Sequence, residues 1–307
     1  SSDNIHNVGW TPLSGTYTFS GNVTFKGSSS TGTFTVNNST NNPNFIFKGN
    51  ITFTNGTGTL NWTKGAGTIT FAGTTAQTAD FLDKSVEDLV ISNTSATVSL
   101  LENGVTTDGL TVDSGATFDL NGENLSYASA SSTTNNGTIR LQGGETLTNV
   151  ANLDTDSGTV TYYGDNGGGG SPFTIKDFGA TDYYNLTFDA TLGTDVFRPA
   201  DTLTVANDLT ITQGTFDNAT NDENINVAGN VTMDNTQTDM GDGTWTVSGN
   251  WDSKDATTLS GGAGNLVMNG TNKSYLIGSA NNTPNSLTIA SGASITQAGN
   301  FYPIYSG

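Results

Sequence analysis

Short sequence patterns recur in a fixed order along the 307 residues of this chain, and this repetition restricts the possible folds more than any other feature. One pattern alternates hydrophobic and polar residues between glycines, as in Gly67–Thr74. Successive copies lie roughly 90–100 residues apart. The matching segments are Gly67–Thr74, Gly158–Gly164 and Gly264–Thr271; Asp88–Ile91, Asn185–Phe188 and Ser286–Ile289; Leu110–Asp119 and Leu209–Asp217; Gly49–Phe53 and Gly229–Met233, with Gly137–Leu141 as a weaker middle copy.

These spacings predict one continuous β-solenoid over residues 1–307, built from super-repeats. Their approximate bounds are 1–48 (partial), 49–136, 137–228 and 229–307 (truncated). The last copy stops before the position that would match Leu110 and Leu209. We therefore expect the chain to be a segment of a longer protein.

A finer period selects the architecture. Predicted strand centres follow one another at intervals of about 22 residues, which is the length of one β-helix coil. We therefore predict an all-β fold, a parallel β-helix (β-solenoid) with coils of about 22 residues. Tandem β-sandwich domains of about 100 residues each are the alternative.

The composition agrees with stacked coils. Only 33% of the residues are hydrophobic, which is low for a compact globule. Within predicted strands, apolar and polar residues alternate, so one face points to a core and the other to water. Stacked coils share one thin core, and asparagines repeated at the corners can form a hydrogen-bonded ladder.

Two segments depart from this pattern. Asp165–Pro172 contains four consecutive glycines and predicts a flexible loop. A helix is credible only at Ala79–Lys84.

Charge and cysteine content exclude several classes of function. The net charge of −19 argues against nucleic acid and anionic membranes as partners. The chain has no cysteine, which excludes disulfides and thiolate chemistry. No apolar run is long enough to span a bilayer, so we expect no membrane insertion in this segment.

A resemblance accompanies these patterns. The strings Gly-Thr-Ile-Thr-Phe-Ala-Gly-Thr (Gly67–Thr74) and Leu-Thr-Val-Asp-Ser-Gly-Ala-Thr-Phe-Asp-Leu-Asn-Gly (Leu110–Gly122) resemble repeats of large prokaryotic cell-surface proteins. These are the β-helical passengers of autotransporters and the haemagglutinin-like adhesins. The resemblance implies an extracellular, elongated, non-enzymatic protein at the cell surface, and it implies no functional residues.

Residues for catalysis are scarce. The only histidine is His6, so no Ser-His-Asp triad can be placed. A solenoid that cleaves polysaccharides needs clustered carboxylates or a basic residue beside them. Only Arg140, expected on an outer face, and Arg198, expected in a turn, supply guanidinium groups. We predict that the chain is not an enzyme.

Calcium is the one cofactor that the sequence favours. Asp154 and Asp156 alternate before Gly158, as carboxylates do in calcium loops, and Asp217 and Asp222 belong to another oxygen-rich cluster. The alternative is that these side chains cap turns.

Aromatic residues allow two interpretations. Trp10, Trp62, Trp245 and Trp251 suit core packing or stacking against carbohydrate. Tyr162-Tyr163 and Tyr183-Tyr184 are adjacent pairs, so we expect one ring of each pair to be exposed.

The sequence therefore predicts an extracellular structural or adhesive repeat protein, acting as a stalk, scaffold or self-assembling surface or filament subunit. Its expected partners are copies of itself or other surface components. A glycan-binding or glycan-cleaving solenoid, such as a phage tail fibre, is the alternative.

Overall fold

The protein, in a computed structural model that describes residues 8–165, 172–260, 264–278 and 283–299, is an all-β parallel β-solenoid. It has about 13 turns of about 22 residues each. The predicted fold class is confirmed. The tandem-sandwich alternative is wrong, because the strands pair in parallel with the turns before and after them, as Leu209 does with Leu186 and Val231.

Alternation along each strand produces this arrangement. In the strand Thr68–Phe71, Ile69 and Phe71 are fully buried while the two threonines point outward. A strand that connects to its parallel neighbour needs a dozen or more connecting residues, and one turn of the solenoid supplies them.

The chain divides into two compact units, of which the first comprises residues 1–140 and 145–153. Its strands are β1 Val8–Trp10, β2 Thr16–Phe19, β3 Val23–Lys26, β4 Thr33–Asn37, β5 Asn44–Phe47, β6 Ile51–Thr54, β7 Thr59–Thr63, β8 Thr68–Phe71, β9 Gln77–Asp80, β10 Asp88–Ile91, β11 Val98–Leu100, β12 Val105–Thr107, β13 Leu110–Val112, β14 Thr117–Asp119, β15 Leu125–Ser132, β16 Thr134–Asn135, β17 Thr138–Leu141 and β18 Leu147–Asn152. They form row A (β1-β4-β7), row B (β2-β5-β8-β10-β13-β16), row C (β3-β6-β9-β11-β14-β17) and row D (β12-β15-β18).

The second unit comprises residues 141–144 and 154–307. Its strands are β19 Thr159–Tyr162, β20 Phe173–Ile175, β21 Asn185–Asp189, β22 Val196–Pro199, β23 Leu203–Val205, β24 Leu209–Gln213, β25 Thr215–Asp217, β26 Ile225–Val227, β27 Val231–Asp234, β28 Gln237–Asp239, β29 Thr244–Val247, β30 Trp251–Asp255, β31 Thr258–Ser260, β32 Asn265–Met268, β33 Lys273–Ile277, β34 Ser286–Ile289 and β35 Ile295–Ala298. They form row E (β20-β22-β25-β28-β31), row F (β23-β26-β29-β32-β34) and row G (β19-β21-β24-β27-β30-β33-β35).

Aromatic rings that pack against one another fill part of each core. In the first unit, the rings of Phe53 and Trp62 lie 4.6 Å apart between centroids. In the second, Phe216 packs edge-on against Trp245, and Trp245 against Trp251. Such pairs add to the free energy gained by burying apolar area.

The predicted helix at Ala79–Lys84 is wrong. Strand β9 ends at Asp80, and the chain then turns through Leu82 and Asp83, which both have positive φ angles. The Asp80 carboxylate accepts a hydrogen bond from the Leu82 N–H and fixes this turn. Among the described residues, none forms a helix that could cross a membrane. The super-repeat bounds stay a prediction.

Candidate functional site

Asparagine and aspartate side chains at the corners bond each turn to the next. In the second unit, the Asp208 Oδ1 accepts a hydrogen bond from the Asn230 N–H at 2.7 Å. The Asn230 Oδ1 in turn accepts one from the Asn250 N–H at 2.9 Å, and Asn250 repeats the contact with Ser274. The predicted corner ladder is confirmed.

The first unit contains the same corner ladder. The Asn22 Oδ1 accepts a hydrogen bond from the Asn50 N–H at 2.9 Å, and the Asn50 Oδ1 accepts one from the Thr78 N–H at 3.0 Å. The bonded residues belong to successive turns. Each bond satisfies a backbone donor that the strand ladder does not reach.

Close stacking explains why glycine precedes the corner asparagines. A Cβ added at Gly49 would lie 2.5 Å from the carbonyl carbon of Gly21. One added at Gly249 would lie 2.1 Å from the carbonyl oxygen of Gly229. Close packing therefore requires glycine before Asn50 and Asn250, whereas a Cβ at Gly21, before Asn22, would meet nothing within 4 Å.

Asp154 and Asp222, which were both predicted to bind calcium, accept hydrogen bonds from within the chain, the first from a residue close in sequence and the second from the next turn. The Asp154 Oδ1 accepts a hydrogen bond from the Asp156 N–H at 3.1 Å. The Asp222 Oδ1 accepts one from the Asp242 N–H at 2.7 Å. Among the residues that the structure describes, no group of three or more His, Cys, Asp or Glu is placed to hold a metal ion. Calcium binding stays a prediction, which melting with and without EDTA would test.

Both arginines are paired with carboxylates. Arg140 is half-buried on row C and lies 3.1 Å from the Asp119 Oδ2, in agreement with its predicted outer-face position. The prediction that Arg198 lies in a turn is wrong, because Arg198 belongs to β22, where its Nε donates to the Asp217 Oδ2 at 3.1 Å. Burial raises the pKa of Asp217, but the hydrogen bonds and charge of Arg198 outweigh this and lower the pKa below its ordinary value.

The first unit contains a buried carboxylate, that of Glu87, which no sequence pattern predicted. Glu87 is fully buried, and its oxygens accept hydrogen bonds from the Asn38 Nδ2 at 2.7 Å, the Trp62 Nε1 at 3.0 Å and the Gly65 N–H at 2.9 Å. A buried carboxylate is tolerated when several donors satisfy it. Because its partners lie on other turns, their convergence leaves no local signature.

A second buried carboxylate lies in the second unit. The Asp182 side chain accepts hydrogen bonds from the N–H groups of Phe178 and Thr204, at 2.8 and 2.7 Å. Burial raises its pKa, and the neighbouring Asp177 acts in the same direction. Both line a small pocket with Lys176 and Asp201.

Most candidate aromatic residues for carbohydrate stacking belong to the core. Trp62, Trp245 and Trp251 are buried. The prediction that one ring of each tyrosine pair is exposed is wrong for Tyr162 and Tyr163, which are both buried. Strand β19 ends at Tyr162, so strict alternation does not extend to Tyr163.

Two predictions, on His6 and on most of the loop Asp165–Pro172, lie outside the described residues. In comparisons with known proteins, the chain matches no protein family, no curated protein and no solved structure.

Proposed function

We propose that this chain is an extracellular structural protein of a cell or virion surface, serving as a stalk, scaffold or subunit of a larger assembly. The corner ladder is the observation that supports this role. Its amide and carboxylate oxygens hold neighbouring turns together. These polar side chains therefore stabilise the stack of turns.

Charge and surface chemistry agree with this role. A net charge of −19 keeps a repetitive protein soluble and limits indiscriminate association. The resemblance to repeats of prokaryotic surface proteins supports the same location, with other surface components or further copies of the chain as partners. We also propose that the protein is not an enzyme.

Immunogold electron microscopy of intact producing cells or virions tests the proposal. We expect label on unpermeabilised surfaces, on extended material or an ordered layer. Label that requires permeabilisation would contradict the surface location. Release of reducing sugars from neutral or acidic polysaccharides by the purified chain would contradict the non-enzymatic role.

A further inference from the structure

A groove crosses row F on the outer side of the second unit, and residues of five turns line it. Its volume is about 400 Å³. Thr204, Asn226 and Thr246 form its first column of side chains, in register on neighbouring strands. A second column follows the strand ends, where each residue's N–H bonds to a carbonyl of the preceding turn. This column is Ala206, Ala228, Ser248 and Asn269.

The polar side chains of the groove are available to a ligand. Within the described part of the chain, those of Thr204, Asn226, Thr246, Ser248 and Asn269 take part in no hydrogen bond. The corner asparagines of the same unit differ, because their side chains bond to the next turn. The groove therefore offers hydroxyl and amide groups that both donate and accept hydrogen bonds.

Charge is missing from the groove, although the chain contains 28 Asp and Glu residues. None of the ten residues that line it is charged. Ala206 and Ala228 supply apolar surface beside the polar groups, and the side chains of Val205 and Val227 are buried in the core beneath them. This combination suits a neutral ligand with many hydroxyl groups.

Other partners fit less well. A peptide cannot add a strand here, because the backbone groups of row F already pair from turn to turn. Protein interfaces depend on large anchors such as Trp, Tyr and Arg, which the groove lacks. Nucleic acid needs basic contacts to phosphate, and none lines this groove.

We propose that this groove binds an extended segment of a neutral polysaccharide. Neighbouring strands lie ~4.8 Å apart, close to the rise per sugar of an extended β-linked chain. Successive sugars can therefore meet equivalent hydroxyl and amide groups on successive turns. The inference goes beyond the proposed structural role and does not depend on it, because binding is measured on the purified chain regardless of its location.

Isothermal titration calorimetry of the full chain tests the proposal, with cellohexaose and mannohexaose as neutral probes and hexagalacturonic acid as the acidic comparison. The variant Thr204→Val/Asn226→Leu/Thr246→Val removes polar groups but nearly preserves side-chain size. The matched control, Thr187→Val/Thr210→Val, changes outward threonines of row G in the same unit. If the triple variant melts at a lower temperature than the control, the milder variant Ser248→Ala/Asn269→Ala replaces it in the binding measurement.

We expect at least one neutral hexasaccharide to bind and the acidic one not to bind. The groove variants should weaken binding about tenfold or more, while the control stays within about twofold. The proposal is overturned if neither neutral probe binds, if the acidic probe binds as well as the neutral ones, or if the control loses as much affinity as the groove variants. Failure of this test leaves the surface location, which labelling measures, unaffected.

Discussion

At the scale of single residues, the buried carboxylates differ in their partners: several donors bond to Glu87, whereas one oxygen of Asp195 has none. Corner asparagines follow a visible Gly-Asn repeat, so their ladder could be predicted. Glu87 gave no such signal, because its partners Asn38, Trp62 and Gly65 come from other turns. Which turn lies beside which residue is a tertiary property that one local pattern does not contain.

Asp195 provides a prediction at this scale. It is buried and its Oδ2 has no hydrogen-bond partner. Burial, followed by the charge of Asp165, raises its pKa above the ordinary 3.8. The folded state therefore binds this proton more tightly than the unfolded state. The contribution of Asp195 to stability is largest at low pH and is lost as pH rises through the folded pKa.

We expect Asp195→Asn to raise the melting temperature by a few degrees at neutral pH, since the variant removes a buried charge. The difference should shrink as the pH falls through the raised pKa of the folded wild-type carboxyl, which lies above 3.8. Circular dichroism melts across this range measure the effect, with the exposed Asp234→Asn as the control. A lower melting temperature at neutral pH would contradict the prediction.

At the scale of the strand, the alternation of apolar and polar residues predicted which side chains face the core. It did not predict the residue at which this alternation ends. Ile69 and Phe71 of β8 are buried as their pattern requires. Tyr163 follows the end of β19 and is buried out of pattern. Arg198 lies in a strand despite the proline after it, because β22 pairs with β20 through both residues. Its guanidinium also pairs with Asp217 on the neighbouring strand β25.

Adjacent positions of β21 test the alternation directly. Leu186 is fully buried, and Thr187 faces outward. We expect Leu186→Asn to reduce the free energy of unfolding by about 3–5 kcal/mol, because it removes apolar burial and leaves an amide in the core. Thr187→Asn should change it by less than ~0.5 kcal/mol. Urea denaturation of both variants checks this, and similar losses would show that the face assignment is wrong.

At the scale of the whole molecule, the repeat period predicted the solenoid, because an average spacing of about 22 residues between predicted strands is visible without knowing any contact. The division into super-repeats remains a hypothesis. The groove on row F could not be predicted, since its columns combine residues from four turns.

Removing one complete turn tests the architecture. Deleting residues 209–230 joins Asp208 to Val231, which occupies the position of Leu209 one turn later. Because each turn contacts mainly its neighbours, we expect the shortened chain to fold and to melt cooperatively at a somewhat lower temperature.

Deleting residues 209–219, about half a turn, is the matched control. It moves the following strands out of their rows, so we expect loss of the β-sheet circular dichroism signal. Equal behaviour of the two deletions would contradict a structure built from interchangeable turns.

The corner ladder has a consequence for the chemical ageing of the protein. Asparagine slowly takes up water and releases ammonia to become aspartate, and long-lived proteins accumulate this damage. Asn22, Asn50 and Asn250 hold the next turn through their side-chain oxygen, and an oxygen remains after conversion. Asp208 already holds its neighbour in this way. The hydrogen bonds between turns therefore keep their acceptor atom when asparagine becomes aspartate, whereas a contact made through the amide nitrogen would lose its donor.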